Sequence, residues 1–128
     1  MKLLVERNDV FKIVVRVYED KNGDLIATTD ESDIPPDAEV ETVNFTFRRP
    51  TNKDAVDLTS SSVFTDAEGA VRVNVIVMQD KIMRNLLIDW DLKNDEGKTL
   101  SLNNSNLDKL NPTISRVASI EAIGRIKI

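Results

Sequence analysis

The chain has 128 residues and a formal net charge of −5, with 22 acidic side chains against 17 basic ones. It holds no Cys and no His, which excludes disulfides, thiolate nucleophiles, iron–sulfur clusters, His-ligated metals and Ser–His–Asp chemistry. The 41% hydrophobic and 30% charged content is that of a folded, water-facing chain, and the acidic balance argues against wrapping a nucleic acid, which needs a basic face.

The length reads as a single domain, 1–128, strand-rich over 1–49 and helical over 50–128. By surface scaling, a compact protein of this mass exposes roughly 6,800 Å² against roughly 21,000 Å² unfolded. No stretch approaches the roughly 20 apolar residues that span a bilayer. The opening Met1–Arg7 is too short and too soon charged for a signal peptide, so the expectation is a cytoplasmic protein without membrane contact. Asn44-Phe45-Thr46 and Asn103-Asn104-Ser105 match the glycosylation pattern, which carries little weight without a secretion signal.

Residues 10–18, VFKIVVRVY, place Phe11, Ile13, Val15 and Val17 on one face and read as a strand. Asn22-Gly23 then separates them from Leu25-Ile26-Ala27-Thr28, a hairpin signal because both turn positions favour residues that tolerate positive φ. The charged, two-proline stretch 30–39 reads as a loop. A third strand follows at 40–48, with Val43, Phe45 and Phe47 alternating against Thr42, Asn44, Thr46 and Arg48, and Pro50 ends it.

Thr51 and Asp54 have capping-box spacing, which predicts a short helix to about Leu58 that Ser60-Ser61-Ser62 frays or breaks. A turn is expected at 65–69. Over 71–92, Met78, Ile82, Met83, Leu86, Leu87 and Trp90 share half a helical wheel, and Val71 and Val75 extend the stripe. This predicts one long helix; a strand at 71–77 joined to a helix is the alternative. A polar turn at 93–98 and a short helix at 103–110 come next. Asn111-Pro112 opens a closing helix on which Ile114, Val117, Ile120 and Ile123 spread around the axis. The expected fold class is therefore α+β: an N-terminal antiparallel hairpin or three-stranded sheet, then a helical C-terminal half.

Asp20-Lys21-Asn22-Gly23-Asp24, with Glu31 beyond, echoes a calcium loop, but its Gly falls at the fourth position rather than the sixth, and a hairpin turn is the better reading. Asp89, Asp91, Asp95 and Glu96 cluster near the expected helix end. On a helix Asp89 and Asp91 diverge by about 200° and cannot share a proton, so a solvated turn is expected. Arg48 and Arg49 suit a phosphate or a partner's carboxylates, or else solvent exposure or a local ion pair. Trp90 suits either a core anchor or an interface hot spot. No cofactor or metal is expected.

Phe45-Thr46-Phe47-Arg48-Arg49-Pro50-Thr51 is similar to the F-x-F-R-R-P-T stretch of tail assembly chaperones of long-tailed bacteriophages. Asn85-Leu86-Leu87-Ile88-Asp89-Trp90-Asp91-Leu92, Asp95-Glu96-Gly97-Lys98, and Leu100 with Leu102 resemble that family's next motif. Asn106-Leu107-Asp108-Lys109-Leu110, Pro112 and Glu121-Ala122-Ile123 resemble its closing helix. The likeness covers about 43–123; the first 40 residues lie outside it, and Asn111-Pro112 stands where the family often has a run of prolines.

The resemblance implies a non-catalytic protein that covers the apolar surface of the helical tape measure protein and is shed as the tail forms. It also implies that a longer, frameshifted form can exist. A holdase needs exposed apolar helix surface on a charged scaffold. Met78, Met83, Ile114, Val117, Ile120 and Ile123, with Arg48 and Arg49, are the expected partner contacts. The apolar faces of 71–92 and 112–123 are expected to pack together and leave a groove for a partner helix or a second copy. A virion structural component, such as a tail-completion or neck protein, or a small acidic inhibitor of a host protein, are the alternatives. An enzyme ranks behind them.

Overall fold

The computed structural model describes residues 2–126. The strand-forming runs build a four-stranded antiparallel sheet. Its members are β1 (Val10–Glu19), β2 (Leu25–Thr28), β3 (Glu41–Arg48) and β6 (Leu87–Trp90), in the order β2-β1-β3-β6. Alternation along β1 and β3 puts Phe11, Ile13, Val15, Val17, Val43, Phe45 and Phe47 on one face, all buried. Lys12, Val14, Arg16, Thr42, Asn44 and Thr46 alternate with them and are exposed or half-buried, as suits an antiparallel sheet covered on one side.

The remaining elements are α1 (Asn52–Ser62), β4 (Val63–Thr65), β5 (Val71–Val73), α2 (Val75–Asn85), α3 (Asn104–Lys109) and α4 (Pro112–Ile126). The α+β class stands, with helices in the second half. The core joins the covered sheet face to Leu58 of α1, Ile82 and Met83 of α2, Leu110, and Ile114, Ala118 and Ala122 of α4. Helix α4 lies over β1 and β2 and also packs on α2, which in turn packs on α1. Ala118 and Ala122 are fully buried, and their small side chains let α4 come close to the sheet.

The long helix expected over 71–92 is corrected: the segment forms β5, α2 and β6. The β-branched Val71 and Val73 pair with β4, and Asn74 then caps α2 by accepting from the Val77 amide at 3.2 Å. The helix stops at Leu86 because Leu87 and Trp90 have partners in the sheet. They sit opposite Phe47 and Phe45, and the Arg48 amide donates to the Leu86 carbonyl at 2.9 Å. The edge pairing carries a bulge: two residues of β3 span the same length as three of β6. The extra residue turns both Leu87 and Trp90 inward, where strict alternation would have opposed them. The sheet therefore takes its fourth strand from the half expected to be helical.

The triple serine does not break α1. The Ser60 and Ser61 hydroxyls donate back to the Asp57 carbonyl at 3.3 and 2.7 Å, and the helix runs on to Ser62. The capping box at its start is present as expected. The Thr51 hydroxyl accepts from the Asp54 amide, and the Asp54 carboxylate accepts from the Thr51 amide.

One turn design recurs three times. At Asp20, Asp66 and Asn94 a side-chain oxygen accepts from the amides two and four residues on, at 2.9–3.0 Å. The fourth residue is Gly23, Gly69 or Gly97, with φ of 80°, 83° and 79°. A side chain there would be strained in the left-handed region. The first turn joins β1 to β2, the second β4 to β5, and the third closes the loop after β6, where Lys93 bridges Thr99. Asp20 is thus occupied by turn amides, in keeping with a hairpin.

Candidate functional site

The two strands β4 and β5 form a separate ribbon that links α1 to α2. Val63 pairs with Val73, Phe64 with Arg72 and Thr65 with Val71. Direct cross-strand partners point to the same side. Val63, Val71 and Val73 therefore share one side, and Phe64 and Arg72 the other. The ribbon meets the rest of the molecule chiefly at the end of α1. At its base the Asn74 amide donates to the Ser62 carbonyl at 2.7 Å. The Ser62 hydroxyl is buried there and has no partner among the described residues.

No side chain between Leu58 and Met78 joins the hydrophobic core. Yet this stretch is rich in large apolar residues. Ile76 is 77% exposed and Val71 72%, while Phe64, Val73 and Val75 are each about half exposed. Val71 and Val73 on one side of the ribbon are followed by Val75 and Ile76 of the first turn of α2 as an apolar ridge, while Phe64 lies on the ribbon's other side. Scattered exposed apolar residues are ordinary; a contiguous set with no share in the core marks a contact surface.

The stretch that carries the ridge is acidic in sequence, and most of its carboxylates are paired: Asp54 with Arg48, Asp66 with Arg72 and Asp80 with Arg84. Between Asp54 and Asp80 the chain carries five carboxylates, Asp54, Asp57, Asp66, Glu68 and Asp80, against the single cation Arg72. That is −4 of the chain's −5. Arg72 is itself engaged by Asp66 at 2.9 Å, and its hydrogen bond holds the Asp66 carboxyl below the ordinary carboxylate range, helped by the Ala70 and Glu68 amides. At the far end of α2, Arg84 reaches Asp80 at 2.9 Å and Asp108 at 2.5 Å, and these bonds raise its pKa.

The expected contact residues are distributed differently. Met83 and Ile114 are enclosed in the core, 3% and 7% exposed. Met78, Val117 and Ile123 are half-buried against it. Ile120 alone of the six apolar residues is turned outward. Helices α2 and α4 do pack together as expected, but Met83 and Ile114 fill the contact. Arg48 is half-buried and makes a two-pronged pair with Asp54 at 2.5 and 3.0 Å. That bond draws the Asp54 carboxyl down to about 2. Arg49 is exposed and lies over the Phe11 ring at 5.0 Å.

Trp90 is a core anchor; its indole N–H donates to the Leu100 carbonyl at 2.8 Å and its ring meets Phe45 edge-on. Asp89 and Asp91 lie on and just beyond a strand rather than on a helix. Asp91 clamps Asn44, accepting from its amide and its side-chain N–H₂ at 2.7 Å each. The exposed ridge itself was missed by sequence pattern alone. The signal for it is the turn Asp66-Ala67-Glu68-Gly69, which repeats Asp20-Lys21-Asn22-Gly23 between two β-branched runs.

No protein-family model, curated protein or solved structure matches the chain.

Proposed function

We propose that the protein is a non-catalytic tail assembly chaperone of a long-tailed bacteriophage, whose task is to hold the tape measure protein until the tail forms around it. The observation that carries this reading is the apolar ridge of Val71, Val73, Val75 and Ile76, which takes no part in the chain's own core. A protein that covers another polypeptide needs such a surface on a charged, self-repelling scaffold. The ordered likeness of the motifs over 43–123 adds support. Their residues have fold roles here: Phe45, Phe47 and Trp90 are core, Arg48 and Thr51 tie β3 to α1, and Gly97 turns the loop after β6.

The test is co-expression with the tape measure protein from the same genome, followed by affinity purification and by mass spectrometry of purified particles. Co-purification together with absence from particles is expected. Presence in particles at stoichiometric amounts would instead make it a virion component.

A further inference from the structure

Asn22-Gly23 is the one Asn–Gly step of the chain, and both residues are exposed at the tip between β1 and β2. Glycine has no side chain to hinder its own amide nitrogen, so in a free chain that nitrogen can reach the Asn22 side-chain carbonyl carbon. The folded turn holds the two apart. The Gly23 amide donates to the Asp20 carbonyl at 3.0 Å. The Asp20 carboxylate accepts from the Asn22 and Asp24 amides at 2.9 Å each, which fixes the residue on either side of Gly23. A four-residue turn followed by a left-handed glycine, here with φ of 80°, is the pattern of a type I turn. Attack requires a rotation between Asn22 and Gly23 that this hydrogen-bonded arrangement opposes.

We propose that Asn22 is a site of spontaneous modification, converted to aspartate or isoaspartate with loss of ammonia, and that the hairpin turn gates the reaction. The Gly23 nitrogen gives up its proton to solvent and bonds to Asn22 Cγ. The Cγ–Nδ2 bond breaks, and ammonia leaves with a proton taken back from solvent. The cyclic imide then takes up one water. Cleavage at Cγ yields aspartate, and cleavage at the main-chain carbonyl yields isoaspartate. One amide and one water become one carboxylic acid and one ammonia, with no change of oxidation state. The proposal does not depend on the chaperone reading.

The two products differ in what they do to the fold. Glu68 and Glu96 hold the place of Asn22 in the two sister turns, so an acid is compatible with this geometry. Isoaspartate instead adds a methylene to the main chain between residue 22 and Gly23, which displaces the Gly23 and Asp24 amides from Asp20. Strand β2 is a four-residue edge strand paired on one side, so this end of the hairpin opens at less cost than the core. In the folded chain the reaction runs through opened turns, at the unfolded rate multiplied by their fraction.

The experiment incubates the full chain in mildly alkaline buffer, with and without urea. Peptide mass spectrometry follows each asparagine, and enzymatic isoaspartyl methylation counts the isoaspartate. Conversion is expected at Asn22 ahead of every other asparagine, and about tenfold or more slower in the folded chain than in urea. Asp20→Ala is expected to raise the folded rate toward the urea value. Asp66→Ala, which loosens the equivalent turn of the other hairpin, is expected to leave it unchanged. Asn22→Glu is expected to fold and to resist conversion. The emission of buried Trp90 verifies that each variant keeps its core. The proposal is overturned by no preference for Asn22 in urea, by equal rates with and without urea, or by a folded rate that Asp20→Ala raises no more than Asp66→Ala does.

Discussion

Arg48 and Asp54 tie the end of β3 to the start of α1 through one residue pair, and the same carboxylate closes the capping box with Thr51. Asp54 has a folded pKa of about 2, below its ordinary 3.8, chiefly through the Arg48 bond. A depressed carboxylate stabilises the fold above its unfolded pKa, and that contribution fades as pH falls through the folded value. The link is therefore intact at neutral pH and is lost between about pH 4 and about 2. Arg48 keeps about a third of its side chain in water, so screening limits the pair and the lost cap dominates. Asp54→Ala is expected to cost about 1–2 kcal/mol at neutral pH. It should also flatten the stability profile between pH 4 and 2, as urea unfolding across that range would measure. A substitution that left both untouched would show that this junction contributes little.

At the scale of elements, what could be read from sequence divides by whether a pattern was local. Strands β1 to β3 announce themselves because alternation and the Asn22-Gly23 turn are visible within a few residues. Strand β6 does not, since its bulge spaces the inward residues Leu87 and Trp90 three apart, which mimics a helical step. Its identity depends on Phe45 and Phe47, some 40 residues away in sequence. Helix α4 misleads in another way. Its largest apolar residues suggest the docking face, yet Ala118 and Ala122 make it, with Ile114 above them and Ile120 turned outward. Small residues are quiet in a hydropathy pattern and decisive in packing, because they set how near the helix lies to the sheet. Ala118→Leu is thus expected to destabilise by about 1–3 kcal/mol through overpacking. Ile120→Ser should stay within about 0.5 kcal/mol. Denaturant midpoints of the two variants check the assignment of faces directly.

At the scale of the whole molecule, the chain exposes 8811 Å². This exceeds by about 2,000 Å² what a compact protein of its mass shows. That excess is more than twice the roughly 800 Å² that one partner buries in a standard protein interface, and the ribbon is one contributor to it. A two-stranded hairpin is marginal by itself. This one is held by the Asp66 turn, the Arg72 pair and the Asn74–Ser62 bond rather than by core packing. Asp66→Ala removes both side-chain bonds of the turn, from the Glu68 and Ala70 amides, and the Arg72 partner in one step. Hydrogen exchange at amides 64–73 should then rise sharply, while β1 and β3 keep their protection and the thermal midpoint is unchanged. Replacing residues 64–72 by a short Gly/Ser link is a stronger version of the same argument. No side chain in that segment reaches the core, and Ser62 and Asn74 remain to close the base. Cooperative unfolding and the buried emission of Trp90 should both survive. Loss of either would mean that the ribbon carries part of the fold, and an apolar ridge that the fold itself requires is no longer free to be explained by a partner.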